Sequence, residues 1–255
     1  MKNNPDYLQL VSDLRAIGIK EGDCLFVHSS FKSMGHIEGG IDTVIKALRH
    51  VLGETGTLIF PTFSFSSVTA ANPVFDYVNT PSCVGAISEY ARHLPDAIRS
   101  VHPTHSCVAM GMRAKEFTCD HYLDTTPVGK NSPLYKVKEV KGKILMLGCT
   151  LRSNTLMHGV EEAVPVFYVL PKEPKPYTII MPDKTYEIPF YRHNFLYSGY
   201  VQRYDRLANV LPAEYMPKGL IHGAESILLD AEQVWKTGIE TMLKDETYFV
   251  DKMEK

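Results

Sequence analysis

No Cys-x-x-Cys pair occurs among the five cysteines, Cys24, Cys83, Cys107, Cys119 and Cys149. Their number is odd and their spacing irregular. That argues against a disulfide framework or a structural zinc site and points to a reducing cytosol. No apolar run approaches the roughly 20 residues a bilayer span requires. The opening stretch, MKNNPDYLQL, has no signal-peptide core, so a cytoplasmic protein without membrane association is expected. An excess of one charge is missing too: 27 Lys plus Arg stand against 29 Asp plus Glu, a formal net charge of −2. This excludes a grip on nucleic acid through bulk charge and leaves room for a local basic pocket. Repeats, low-complexity tracts, a P-loop and Gly-x-Gly-x-x-Gly are also missing. What is present is apolar material, 44% of the chain, enough for a real core. The 255 residues allow one large domain or two small ones.

The apolar spacing predicts helices over 6–18 and 41–52, with strands at Cys24–His28 and Thr57–Phe60. Strand, loop, helix and strand in that order make a βαβ-like unit with a parallel sheet. Residues 64–82 read as irregular, and a loop of that length in a compact domain is often functional. Further helices are expected over 84–94, 113–119 and 134–140, and strands near 99–101 and 107–110. Lys143–Leu147 is the clearest strand, and Asn154–Ala163 reads as one helix ending before Pro165. The C-terminal third changes character. Segments 176–181 and 185–191 read as antiparallel strands, 199–211 and 230–244 as helices. No linker separates independent units. The expected fold is a single large α/β domain with a central mixed, partly parallel sheet flanked by helices and an antiparallel excursion in the C-terminal third.

Three segments carry candidate chemistry. In Asn154-Thr-Leu-Met-His-Gly-Val-Glu161, His158 and Glu161 share one helix face at i, i+3. A carboxylate beside an imidazole fixes its tautomer and stabilises its protonated form, as a general base requires. The same spacing is ordinary on a solvated helix, and Glu162 reaches His158 equally well. In Arg99–Ser106, His102 and His105 could join a third ligand on a metal, although Pro103 breaks any helix that would align them. A loop that hydrogen-bonds a polar ligand fits this segment as well. His28-Ser-Ser-Phe-Lys-Ser-Met-Gly35 directly follows a strand. Its amides and hydroxyls could cradle phosphate or amide groups, with Lys32 as a point charge, or could be a hydrophilic connection only. Cys24, Cys107 and Cys149 read as small core residues.

In order along the chain, these blocks resemble the aminoglycoside 3-N-acetyltransferase family. The resemblance rests on His28–Gly35 with Gly39-Gly40, on Gly56–Phe63, and on Phe75-Asp76 with Thr80–Gly85. It rests further on Arg99-Ser-x-His-Pro with Ser106, on Ser132-Pro-Leu134, and on Asn154-Thr-x-x-His-x-x-Glu161. It implies acetyl transfer from acetyl-CoA to the 3-amino group of a 2-deoxystreptamine antibiotic, directly within a ternary complex. His158 would be the base, Glu161 its orienter, and Thr155 a hydrogen-bonding partner of the reacting groups. Ser29, Ser30, Phe31, Lys32, Ser33, Arg99 and Ser106 would contact coenzyme A. Asp76, Asn154, Glu162 and His102 would face the acceptor, with Asp124 and Asp205 as further acidic candidates. No metal is expected, and the partner is a small-molecule amine bound to a monomer or homodimer. Residues 1–165 would carry cofactor and catalysis, and 166–255, where the resemblance is poor, would shape the acceptor pocket. Three alternatives stand beside this reading. They are the same transfer to an amino sugar or other biosynthetic amine, a metal-dependent hydrolase using His102, His105 and His158, and a non-catalytic coenzyme A or nucleotide binder.

Overall fold

Alternation along one short strand organises the molecule. In β1 (Cys24–Ser29), Cys24 and Phe26 point to one side of a sheet while Leu25 and Val27 point to the other, and all four are buried. A strand apolar on both faces must be covered on both faces, which is the signature of a sheet inside an α/β protein. The structure, a computed structural model, describes residues 4–164 and 166–254.

The elements run α1 (Pro5–Ala16), β1, α2 (Gly40–Leu52), β2 (Thr57–Pro61), β3 (Val74–Asp76), α3 (Ala86–Ala91), β4 (Ile98–Arg99), β5 (Cys107–Gly111), α4 (Ala114–Thr118) and α5 (Pro133–Glu139). They continue with β6 (Lys143–Leu147), α6 (Met157–Ala163), β7 (Lys175–Ile180), β8 (Thr185–Phe190), α7 (Phe195–Ser198), β9 (Tyr200–Gln202), β10 (Lys218–Ile221), β11 (Ala224–Asp230), α8 (Ala231–Met242) and β12 (Val250–Lys252). Among the described residues, seven strands form one sheet in the order β10-β11-β6-β1-β2-β5-β4. Its centre, β6-β1-β2, is parallel, and both flanks are antiparallel. The expected mixed α/β sheet is therefore present. α1, α2 and α3 cover the face that carries Leu25 and Val27. α4, α5, α6 and α8 cover the face that carries Phe26. A separate sheet, β3-β7-β8, buries Phe75, Tyr177, Ile179 and Phe190, and is the antiparallel excursion read from the sequence.

Three expectations change. Residues 154–163 are not one helix: α6 begins only at Met157, because the Asn154 side chain takes the Leu156 N–H and starts a turn. Pro165 lies outside the described residues. Residues 199–211 are not one helix either. Gly199 has φ +80°, Tyr200–Gln202 pair with Val250–Lys252, and a 3-10 turn follows over Tyr204–Asn209. Distant backbone at the end of the described chain outcompetes local helix formation there. The irregular 64–82 loop contains β3, which pairs in parallel with β7.

The β10–β11 hairpin adds an edge the sequence did not announce. Its two turn residues, His222 and Gly223, both have positive φ, +48° and +77°, as a tight type I′ connection requires. Histidine is an unusual first residue there. It is held by Nδ1 to the Met34 carbonyl at 2.9 Å and by its N–H to Asp13.

α6 meets α8 through Gly159. A β-carbon at that position would lie 2.2 Å and 2.3 Å from two ring carbons of Trp235. Gly159→Ala is therefore expected to destabilise the fold by about 1–3 kcal/mol through overpacking. A lowered urea midpoint at constant slope checks it, and an unchanged midpoint would show that the indole yields freely.

Candidate active site

The carboxyl ends of the three parallel strands open into one cleft of about 880 Å³. Sites gather at this end of parallel sheets because the chain leaves each strand there in loops. β1 delivers His28, Ser29 and Ser30; β2 delivers Pro61 and Phe63; the turn after β6 delivers Cys149. Thr155 and His158 enter from the approach to α6. Strand alternation puts His28 on the Phe26 side, with the two rings 5.1 Å apart. His28 was not singled out as a site residue from the sequence, yet it lies opposite Thr155, 3.4 Å from Nε2 to Oγ1. Burial pushes the His28 imidazole down to about 3, so it is neutral.

His158 is 8% exposed and Glu161 is fully buried one turn later on α6. Their direct separation, Nδ1 to Oε2, is 3.4 Å. A third group completes the pair. Tyr204 donates its hydroxyl hydrogen to Glu161 Oε2 at 2.6 Å, and the same oxygen lies 2.8 Å from His158 Nδ1. An O–H donates once. With the carboxylate taking it, the phenol oxygen accepts from His158 Nδ1–H. This assigns the tautomer and leaves Nε2 with its lone pair. Burial, then the Glu161 charge, hold the Tyr204 phenol well above its usual range, so it stays protonated as the relay needs. Burial also pushes the Glu161 carboxyl up, and its bonds to His158 and Tyr204 counter this.

Two more imidazoles stand against His158. His193, from the segment after β8, has its ring centroid 4.3 Å away, and His105 lies 4.8 Å from His193. His193 Nε2 meets Glu162 Oε1 at 2.7 Å. Burial raises the Glu162 carboxyl to about 7 and holds His105 and His193 well below the usual imidazole range.

Of the sequence-derived candidates, Thr155, His158, Ser29, Ser30, Phe31 and Lys32 line the cleft. The Ser29 hydroxyl is buried with no partner among the described residues, an opening for an amide or hydroxyl of a ligand. Ser33 bonds Ser30 at 2.8 Å and lines a neighbouring cavity of about 850 Å³ together with Asp205. Glu161 stands behind His158, and Glu162 bonds His193 and the Val128 N–H.

Arg99 and Ser106, expected to contact coenzyme A, sit in a clamp between the two sheets. Arg99 donates to Ser106, Thr62, Tyr77 and Thr80 and lies over the Phe75 ring at 4.8 Å, tying the smaller sheet to the main one. His102 is likewise taken inward. Its Nδ1 accepts from the Thr104 and His105 N–H groups, and its ring stacks on His121 at 4.9 Å. Asn154 caps the turn before α6. Asp76 is spent on Val78 and Asn79, and Asp124 on Asn131. Cys149 lines the cleft, but burial pushes its thiol up to about 12, which removes the thiolate a nucleophile needs. Tyr204 and His193 were missed. They lie 46 and 35 positions beyond His158, and no local spacing links them to it.

Among the described residues, no helix is long and apolar enough to cross a membrane. A sequence profile of the family described as aminoglycoside 3-N-acetyltransferase matches residues 26–243. The chain is similar to aminoglycoside N(3)-acetyltransferase VII of Streptomyces paromomycinus, 35% identical over 170 residues, which cover 60% of this chain and 59% of that one. The match thus spans less than two thirds of that relative's length. Among solved structures it is similar to a histidine-to-alanine mutant of aminoglycoside acetyltransferase AAC(3)-IVa in complex with a gentamicin. The TM-score is 0.82 at 26% identity, over 98% of this chain and 92% of that one. It is also similar to AAC-IIIb in a binary complex with CoASH, with a TM-score of 0.77 at 28% identity, over 93% and 96% of the two chains.

Proposed function

The chain belongs to the aminoglycoside 3-N-acetyltransferase family, and from that premise we propose that it transfers an acetyl group from acetyl-CoA to an amine, the 3-amino group of a 2-deoxystreptamine aminoglycoside. The observation that carries this reading is the Glu161–Tyr204–His158 relay, which ends in a free imidazole nitrogen at the cleft.

An ammonium has no lone pair and cannot attack a thioester, so a base must take its proton. His158 Nε2 accepts that proton. The imidazolium formed keeps Nδ1–H on the Tyr204 oxygen, and the Glu161 carboxylate behind it offsets the new charge. Glu161 and Tyr204 hold the ring in place and act through His158. Thr155 and the neutral His28 form the opposite wall. When bound, acetyl-CoA would supply the activated acetyl group: its C–S bond would break as the amide C–N bond forms, and coenzyme A would leave as the thiol with a proton from the His158 imidazolium. Ser29, Ser30 and Phe31 would line its pantetheine, with Lys32 at the exposed mouth for phosphate. Direct transfer with both substrates bound together is supported by the Cys149 thiol, which burial keeps from supplying a thiolate.

One observation favours a second reading, the same chemistry on an amino sugar or another small amine. Among the described residues that line the cleft, none is Asp or Glu. A polycation gains most from carboxylates, and Asp76 and Asp124 are committed to their own loops. An acceptor panel with thiol-release detection decides. Release driven by 2-deoxystreptamine antibiotics supports the first reading, release driven only by amino sugars or small amines the second. Silence across the panel overturns acetyl transfer. Lys32→Ala is expected to raise KM for acetyl-CoA about tenfold with kcat little changed, since a charged contact to a remote phosphate is made equally in ground and transition states. An unchanged KM would remove Lys32 from coenzyme A recognition.

A further inference from the structure

His105, His158 and His193 each offer one ring nitrogen, and these three atoms lie within 4.8 Å of one another. We propose that the three imidazoles form a binding site for a borderline divalent transition-metal cation of the Zn²⁺ class, which on binding takes the nitrogen that His158 uses as base. The binding does not depend on the transferase reading; the inhibition that follows from it does.

On each ring one nitrogen is already held. His158 Nδ1 is on the Tyr204 oxygen at 2.8 Å, with Glu161 behind. His105 Nδ1 is on Thr104 Oγ1 at 2.8 Å. His193 Nε2 is on Glu162 Oε1 at 2.7 Å. A hydrogen bond on the far nitrogen, from a carboxylate above all, is how metal-binding histidines are oriented and their basicity raised. The second observation is at His193. Its side chain is 7% exposed, and its Nδ1 is buried with no partner among the described residues. A buried lone pair without a donor is costly, and a cation would satisfy it. Burial holds His105 and His193 neutral, the form that ligates.

The ligand set selects the metal. Three imidazoles suit zinc, copper, nickel or iron, and offer little to magnesium or calcium, which prefer oxygen. Tetrahedral zinc at 2.0–2.1 Å from each nitrogen sets them about 3.4 Å apart, so the rings close by roughly an ångström. Because His158 lines the cleft, the fourth position opens toward it. Water, or the thiol of released coenzyme A, fits that position. The metal form is thus an arrested form, with the base blocked and the cleft still open.

The experiment uses the full chain freed of metal by chelation. Zn²⁺ is expected to bind one per chain, and Co²⁺ to give the intense visible bands of a four-coordinate nitrogen site. His105→Ala and His193→Ala should each weaken Zn²⁺ binding by more than about a hundredfold. His36→Gln, on the exposed surface, should leave it unchanged. Binding that survives both cluster variants, or is lost with His36→Gln, overturns the site. So do weak, octahedral Co²⁺ bands on the unsubstituted protein, a reading that needs no variant to fold. Zn²⁺ should also stop thiol release, and chelator should restore it. Zinc binding without any acetyl transfer would keep the metal site and sink the transferase reading. Acetyl transfer without zinc binding would do the reverse.

Discussion

His158→Ala is expected to lower kcat for acetyl transfer by about 10²–10⁴, the usual worth of a positioned general base, and to leave coenzyme A affinity nearly intact. The asymmetry follows from placement. His158 enters the cleft from α6, while Ser29, Ser30, Phe31 and Lys32 leave β1 on another wall. A role in proton transfer alone appears in kcat and spares the binding of the thioester. Rate should return in part as pH rises, because more of the amine is then unprotonated without help. Unchanged turnover would remove His158 from the mechanism. Loss of coenzyme A binding in equal measure would make it a structural residue of the cleft.

The second large effect is on stability in mild acid. Burial pushes the His28 and His121 imidazoles down to about 3 and holds His102, His105 and His193 well below the same starting value of 6.5. The unfolded chain binds a proton at each near pH 6.5 while the folded chain does not. Each such group therefore contributes stability that is complete above pH 6.5 and is lost as pH falls toward its folded value, at about 1.4 kcal/mol per pH unit. Glu162 acts in the opposite direction. Its folded value of about 7, above 4.5, gives stability complete below pH 4.5 and lost as pH rises through 7. Five histidines outweigh it. Each histidine that takes up a proton only on unfolding contributes about 1.4 kcal/mol per pH unit, set against the 5–15 kcal/mol that holds a domain together. Melting temperature by circular dichroism is expected to fall steeply between pH 6.5 and 5. A flat profile across that range would mean that the histidine cluster takes up protons without unfolding.

The βαβ core was legible because its strands are buried on both faces and its helix carries one clear stripe. β1, α2, β2 and β6 all lie where apolar period and glycine stops put them. His158 and Glu161 were legible because both sit within one turn of one helix. The rest of the relay was not. Tyr204 reaches Glu161 across 43 positions of chain, and its own segment was read as a helix because the pairing of Tyr200–Gln202 with Val250–Lys252 has no local signal. His193 is brought in by the end of the smaller sheet, which no spacing could announce. Arg99, His102 and Asp76 show the opposite relation between residue type and surroundings. Each is a polar residue whose type suits a ligand, but Arg99 and Asp76 are bonded to nearby backbone and side chains, and His102 gives its Nδ1 to the Thr104 and His105 N–H groups. Residue type states what a group can do; only its surroundings state whether it is free to do it.

Tyr204 has a consequence for how new acceptor ranges could arise. It belongs to the C-terminal third, yet its hydroxyl bridges Glu161 and the His158 imidazole carried by α6. An exchange of that third between relatives would therefore also exchange a hydrogen-bonding partner of His158. A recombinant that inherits no hydroxyl at this place would leave the imidazole unsteered. Diversification in this molecule is thus yoked: the C-terminal segments vary without cost to His158 only while they keep one phenol in register with a carboxylate elsewhere in the chain.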